Sequence, residues 1–259
     1  MIDLTQKPLA GKTGLVLGIA NQHSIAYGCA KAFRGLGAEV AVTYLNDKAK
    51  PYVEPLAKEL EARLLLPCDV RHAGQLDAVF QAMRELWGKI DFALHAIAFA
   101  PKGDLHGRLA DCSRDGFLQA MEVSCHSFIR MARLAEPLMP GGGVLFTMSY
   151  YGAEKVVEHY NVMGPVKAAL ESAVRYLAFE LGPKGIRVHA ILPGPVKTRA
   201  ASGIDHFDEL LARAAERAPA RRLIDIEDVG VATAVLATDY AKLITGETVH
   251  VDGGYHVLG

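Results

Sequence analysis

Tyr160 and Lys167 stand seven residues apart in a stretch whose apolar spacing predicts a helix over 160–181. Seven residues is close to two turns, so the phenol and the ammonium share one side of that helix. A phenol of ordinary pKa, about 10, donates a hydrogen bond at neutral pH, and a neighbouring cation lowers that value. His95, closing an apolar run, reads as a satisfied core histidine rather than a catalytic base.

A second constellation lies near the N-terminus. The run Thr13–Gly18 predicts a strand, and it opens into Ile19-Ala20-Asn21-Gln22-His23-Ser24 ahead of a helix over 25–36. A glycine at a strand end permits a tight turn, and the helix N-terminus beyond it can hold a pyrophosphate. The run is not the plain G-x-G-x-x-G pattern, because Ala20 and Asn21 stand where further glycines belong. Ser24 suits either a hydroxyl donor to phosphate or an ordinary N-cap. The second strand, Glu39–Tyr44, is followed by Leu45. Dinucleotide sites place an acid there for the ribose, or an arginine for a 2′-phosphate. Leu45 supplies neither, and Asp47 and Lys48 nearby pull in opposite directions. Asp69, closing the third strand, suits either acceptance from an adenine amino group or capping of the next helix.

These groups need rigid supports. Further strands are predicted at Leu64–Cys68, Phe92–Ala98, Val144–Ser149, Arg187–Leu192 and Thr248–Val251. Helices are predicted near 51–61, 73–87, 114–134 and 227–238, besides the two already named. Strands apolar on both faces, alternating with helices, predict a parallel sheet covered on both sides. With right-handed crossovers this is a doubly wound Rossmann-type α/β sandwich of seven strands. No repeat, low-complexity tract or linker interrupts the sequence, so a single domain over 1–259 is expected. The irregular stretch at about 196–220 follows a strand end, where open parallel sheets bind ligands, and reads as a substrate lid.

Composition narrows the field. The 259 residues hold 28 Lys+Arg against 29 Asp+Glu, a net charge of −1, with 51% hydrophobic residues. That balance excludes intrinsic disorder and speaks against general nucleic-acid binding. No run reaches the ~18 apolar residues of a membrane helix, and the first residues carry no signal-peptide pattern. Cys29, Cys68, Cys112 and Cys125 are scattered without metal-ligand spacing. They read as free thiols in a reducing compartment. A cytoplasmic protein without a metal site is expected.

Tyr160-Asn161-Val162-Met163-Gly164, with Lys167-Ala168-Ala169-Leu170 after it, resembles short-chain dehydrogenase/reductases. Within them it is similar to the enoyl-acyl-carrier-protein reductases of bacterial fatty-acid synthesis. The resemblance runs from about Leu9 to Tyr255. It takes in Ser24-Ile25-Ala26-Tyr27-Gly28, His95-x-Ile97-x-Phe99-Ala100, Ala200-Ala201-Ser202-Gly203-Ile204 and Gly246-x-x-Val249-His250-Val251-Asp252-Gly253-Gly254. Ordinary ketone and alcohol dehydrogenases of this kind carry a tyrosine four residues before the lysine. Here that position is Met163, which cannot donate a proton, and Tyr-x6-Lys is the enoyl-reductase arrangement. Tyr151 and Lys155 match the commoner spacing, but they lie too close to the strand and lack the Ala-Ala-Leu continuation.

The resemblance implies reduction of a trans-2-enoyl thioester on acyl-carrier protein, with hydride passing from NADH to the β-carbon. Tyr160 is then expected to steady the enolate oxygen, Lys167 to bind the nicotinamide ribose, and Tyr150 and Ala100 to contact substrate. Gly18, Ser24, Ile25, Leu45, Asp69, Val70, Ile97 and Lys167 are expected to line the cofactor, with Val196, Lys197, Thr198, Arg199 and Ala200. Many relatives carry, in place of Leu45, a Gln that helps read the adenosine ribose; its loss here weakens the implied cofactor to NADH preferred, with NADPH open. A homotetramer is implied, with helices 114–134 and 160–181 as packing faces. Two other classes stay open. One is a carbonyl or alcohol dehydrogenase, which Met163 opposes; the other is a non-catalytic dinucleotide sensor, which has no need of Tyr160 and Lys167. Basic residues (Lys197, Arg199, Arg213, Arg217, Arg221, Arg222) share the lid with Asp205, Asp208 and Glu209, so no docking face for an acidic carrier emerges.

Overall fold

Seven parallel strands form one sheet in the order β3-β2-β1-β4-β5-β6-β7. This is a computed structural model, and it describes residues 7–72, 74–198 and 207–258. The strands are β1 (Thr13–Leu17), β2 (Glu39–Tyr44), β3 (Leu64–Pro67), β4 (Phe92–His95), β5 (Gly143–Met148), β6 (Ile186–Pro193) and β7 (Thr248–Val251). Between them run α1 (Ile25–Gly35), α2 (Lys50–Glu59), α3 (Gln75–Trp87), the single turn α4 (Lys102–Leu105), α5 (Arg114–Met121), α6 (Ser127–Ala135), α7 (Met163–Leu181), α8 (Phe207–Arg217) and α9 (Ile226–Ala237).

The strands are short and apolar on both faces because both faces are covered. Leu15 and Leu17 point to one side of β1, into a core shared with α3, α6 and α7. Val16 points to the other, into a core shared with α1, α2 and α9. The strand order reverses between β1 and β4, which pair in parallel from Gly14↔Phe92 to Leu17↔His95. Crevices at such a reversal, beyond the carboxyl ends of the strands, are where doubly wound sheets bind ligands.

Three boundaries differ from the sequence expectation in informative ways. The helix expected over 114–134 is broken by a π-helical segment, Glu122–His126, between α5 and α6. The strand expected over 92–98 ends at His95, freeing the next five residues to line the crevice. The helix expected from 160 starts at Met163. Pro165 explains the last. In a helix beginning at 160 its ring would clash with the carbonyl four residues back, whereas in the first turn its missing N–H costs nothing.

Candidate active site

The crevice begins at Gly18, which leaves β1 with φ +102°. A Cβ built there would lie 2.2 Å from the Ala96 carbonyl oxygen, so only glycine lets β1 turn beside the end of β4. Ser24 sits at the N-cap position of α1, but its side chain does not cap the helix. Its Oγ accepts from the Ala20 and Asn21 backbone N–H groups, at 3.0 and 3.1 Å. The hydroxyl thus holds the turn with its lone pairs and has a proton left to donate towards an anion at the start of α1. Ile25 is the first residue of that helix. Gly18, Ser24 and the open start of α1 suit a pyrophosphate.

Along the rim, Leu45 follows β2 and is 48% exposed, a large apolar side chain with no polar group to offer a ribose. Asp69 and Val70 follow β3 and are buried. The N-cap position of α3 is Gly74, so Asp69 does not cap that helix. Instead its carboxylate accepts from the Arg71 backbone N–H at 3.0 Å and from the Arg71 guanidinium at 2.7–3.2 Å. His72 Nδ1 lies 3.3 Å away. These contacts hold the Asp69 carboxyl below the usual carboxylate range, mainly through the Arg71 hydrogen bonds. The Arg71 guanidinium also lies over the Phe99 ring, 5.7 Å from its centroid, and so bridges the ends of β3 and β4. Neither Arg71 nor this bridge was expected from the sequence.

The segment after β4 carries Ile97 and Ala100, both partly exposed. It is fastened from below by Ser124 in the π-helical segment. Ser124 Oγ accepts from the Phe99 N–H at 2.9 Å and donates to the Phe99 carbonyl at 3.2 Å. Single π turns recur at functional sites because the extra residue re-aims a side chain, and Ser124 is such a case. His95 is fully buried, with Nε2 2.6 Å from Ser127 Oγ and Nδ1 3.3 Å from Thr147 Oγ1. Burial, aided by the Lys167 charge, brings its pKa down to about 3, so it is a neutral core group as expected.

The end of β5 assembles the other half of the crevice. Lys167, on α7, is 4% exposed, and its Nζ donates to the Met148 carbonyl at 2.6 Å. Burial lowers its pKa to about 8, against the opposing pull of Cys125 and Glu171. Tyr150 and Tyr160 meet edge to face with ring centroids 4.8 Å apart. Burial raises the pKa of both phenols, which makes them firm hydrogen-bond donors at neutral pH. Tyr160 is not on the helix of Lys167 but in the turn before it, between His159 (φ +63°) and Asn161 (φ +36°). Left-handed residues other than glycine are strained, and asparagine bears that strain best. Asn161 also donates from Nδ2 to the Leu105 carbonyl at 2.8 Å, tying the tyrosine turn to α4. Gly152 leaves room for the ring, since a Cβ there would lie 2.4 Å from Tyr160 Cδ1. Tyr151 faces away, its ring edge-on to Tyr255 at 5.9 Å, which separates it from this group.

Beyond β6, Gly194 donates to the Val251 carbonyl and the chain runs through buried Val196, exposed Lys197 and partly exposed Thr198. Arg199 and Ala200 lie outside the described residues, as does the stretch to residue 206. Within the expected lid, α8 is amphipathic and buries Leu211 and Ala214. Arg222 pairs with Asp228 at 3.2 Å, and Asp228 forms the capping box of α9 with Asp225. Among the described residues there is no His, Cys, Asp and Glu group able to hold a metal ion. No helix among them is long and apolar enough to cross a membrane.

A family model described as Enoyl-(Acyl carrier protein) reductase matches residues 18–256. The chain is 51% identical to enoyl-acyl-carrier-protein reductase (NADH) 1 of Rhizobium meliloti, covering 96% of this chain and 92% of that protein. It is 45% identical to the NADH enzyme of Escherichia coli, covering 96% and 95%. Among solved structures, the Anaplasma phagocytophilum reductase in complex with NAD superposes with a TM-score of 0.94 at 50% identity, over 98% of this chain and 97% of that one. The Bacillus cereus reductase, solved with NADP+ and an indole naphthyridinone, gives 0.95 at 45% identity, over 98% and 100%. With these likenesses over nearly the whole length, the chain belongs to the enoyl-acyl-carrier-protein reductase family.

Proposed function

We propose that the chain is an NADH-dependent enoyl-acyl-carrier-protein reductase, acting on trans-2-enoyl thioesters in fatty-acid elongation in the cytoplasm. The observation that carries this is the Tyr150–Tyr160 ring pair just past β5, with Lys167 donating to the Met148 carbonyl at the end of that strand and Met163 where a carbonyl dehydrogenase needs its tyrosine. Gly18, Ser24 and Ile25 fit the pyrophosphate of a dinucleotide, and Asp69 and Val70 its adenine. Ile97 and the stretch Val196, Lys197, Thr198, Arg199 and Ala200 would flank the nicotinamide half. Leu45 gives a ribose 2′-phosphate no cation, which supports NADH over NADPH. Bound there, NADH supplies hydride to the β-carbon of the enoyl group.

The chain's own residues do the rest. Tyr160 donates a hydrogen bond to the thioester oxygen as negative charge builds on it, the role of an oxyanion donor. Its raised pKa keeps the proton on the phenol as that charge builds, and the enolate then takes a proton from water at the α-carbon, which completes the reduction. Tyr150 packs against the Tyr160 ring and walls the acyl site beside Ala100. Lys167 presents a charged donor to the ribose hydroxyls and a positive field to the reacting oxygen. We read the segment 196–220, of which 199–206 lie outside the described residues, as a lid that limits bulk water at the acyl site. The described strands form one sheet, which supports reading residues 1–259 as one domain.

Absorbance at 340 nm, followed with crotonyl and longer enoyl thioesters, tests the reading. NADH oxidation is expected, with NADPH slower. Tyr160→Phe is expected to lower kcat about 10- to 100-fold with KM little changed, because a hydrogen bond to a charged group is worth ~1.5–3 kcal/mol. Turnover of ketones alone would point to a carbonyl dehydrogenase, and binding without turnover to a sensor. The assembly we infer is a homotetramer. Tyr176 and Phe179 on α7 and Ile129 on α6 leave apolar surface exposed on the expected packing helices. Sedimentation at four times the 27.9 kDa chain mass is expected, and a monomer would overturn that assembly.

A further inference from the structure

The rim of the crevice past β3 carries a clamped cation that the chemistry above leaves without a role. Asp69 takes the Arg71 guanidinium side-on, with Nε at 3.0 and 3.2 Å and Nη2 at 2.7 Å from its oxygens. Asp69 is itself pinned, because its backbone N–H donates to Gln75 Oε1 at 2.7 Å. From the end of β4 the Phe99 ring meets the guanidinium, 5.7 Å from its centroid. Phe99 is fastened in turn to Ser124, through both its N–H and its carbonyl. A long side chain is thereby ordered by the fold, so its rotamer entropy is not lost again on binding.

The clamp decides what this rim can offer a ligand. A carboxylate has room for about four donors. Arg71 brings its backbone N–H, Nε and Nη2 to Asp69. The carboxylate side chain is 6% exposed against 41% for the arginine. Most of the polar surface just past β3 is therefore guanidinium rather than carboxylate. Side-on pairing also directs the remaining donors, on Nη1, away from Asp69. Arg130, which reaches the same strand end, serves the fold instead: it donates to the Val70 carbonyl at 3.1 Å and pairs with Asp77 at 3.6 Å.

A planar cation held by its edge keeps a face for a flat, electron-rich heterocycle. On the adjoining strand β2, whose Tyr44 pairs with Pro67 of β3, Leu45 adds apolar surface. We propose that Arg71 binds the adenine half of the dinucleotide, its guanidinium presented to the purine ring by Asp69 and Phe99. The proposal rests on the reading that the adenine lies against Asp69 and Val70. It gives the adenosine end a contact that Leu45 cannot supply by hydrogen bonding. It also makes Asp69 a positioning residue for that contact.

NADH and its two halves, used separately on the whole protein, test it. Binding of NADH is followed by fluorescence and binding of ADP by calorimetry, with kcat and KM measured alongside. Arg71→Ala is expected to weaken NADH and ADP by the same factor, about 5- to 20-fold, the range of a partly desolvated cation–π contact. KM for NADH is expected to rise with it while kcat is little changed. Reduced nicotinamide mononucleotide, which has no adenine, is expected to serve as hydride donor equally well in both proteins. Arg71→Lys keeps the charge but not the plane. It is expected to share most of the loss, and it serves also if the alanine variant folds poorly. Unchanged ADP affinity in Arg71→Ala, or an equal loss with the mononucleotide, would make Arg71 only a brace between β3 and β4 and overturn the proposal. Full affinity in Arg71→Lys would move the contact from the purine to a phosphate and overturn it likewise. A wild-type protein that binds neither NADH nor ADP would instead remove the dinucleotide reading beneath it, and the proposal with it.

Discussion

Lys167→Met is expected to weaken NADH binding by at least about a hundredfold and to abolish measurable reduction of enoyl thioesters. The lysine is buried, so its ammonium is a donor already stripped of water, and hydrogen bonds to charged groups are worth ~1.5–3 kcal/mol each. Two ribose hydroxyls lost together give the hundredfold. Methionine nearly fills the same volume, so packing is kept and the loss belongs to the charge. Stability is expected to move the other way. The folded pKa of about 8 lies below the ordinary 10.5, so the folded state disfavours the protonated form. That cost is fully present below about pH 8 and vanishes as pH rises towards 10.5. A shift of this size is of the order of 3 kcal/mol, offset in the variant by a Met148 carbonyl left without its donor. The variant should therefore melt no lower than the wild type at pH 7, and the wild type should gain on it between pH 8 and 10. Fluorescence titration with NADH and thermal melts at pH 7 and 9.5 read both effects. Unchanged NADH affinity would take Lys167 out of the cofactor site.

Much of this arrangement was legible in the chain because period and punctuation carry it. All seven strands occur where doubly apolar runs end in turn residues, and the sandwich follows from their alternation with helices. The chemistry-bearing residues were legible by type and spacing, but their geometry was not. Tyr160 and Lys167 were expected on one helix, but the tyrosine sits in a strained turn ahead of the helix that carries the lysine. Pro165 was the available signal, since a proline five residues after a helix start cannot keep its place in the ladder. Ser24 was open between two roles, and the structure gives it a third, bracing the turn while keeping its proton. Asp69 was open between adenine and a helix cap; the cap is excluded, and Arg71 holds the carboxylate instead. Arg71 in turn lies over Phe99 and so joins the ends of β3 and β4, a contact between distant residues that no local pattern records. Arg199 and Ala200 lie outside the described residues.

Gly28→Ala is expected to destabilise the fold by about 3 kcal/mol and to weaken NADH binding, although alanine is the better helix former. Local propensity favours alanine by up to ~1 kcal/mol in a helix interior. Tertiary packing opposes it, because α1 and α9 approach backbone to backbone at this point. A Cβ at Gly28 would lie 2.2 Å from the Ile226 carbonyl oxygen, and one at Gly230 would lie 2.3 Å from the Gly28 oxygen. Neither obstacle is a side chain that can swing aside, so one helix must move, and overpacking of this kind costs ~1–3 kcal/mol or more. The close approach falls one turn into α1, whose start carries Ser24 and Ile25, so any displacement there reaches the cofactor turn. Stability and cofactor affinity should therefore fall together, with a melting temperature lower by roughly 10 °C. Gly35→Ala is the control. It ends the same helix with open space around it and no left-handed φ, so alanine there should stabilise by ~0.4–1 kcal/mol and leave NADH binding unchanged. Thermal melts and NADH titrations of the two variants separate propensity from packing. Equal behaviour at positions 28 and 35 would mean that the close crossing of α1 and α9 does not hold the cofactor turn in place.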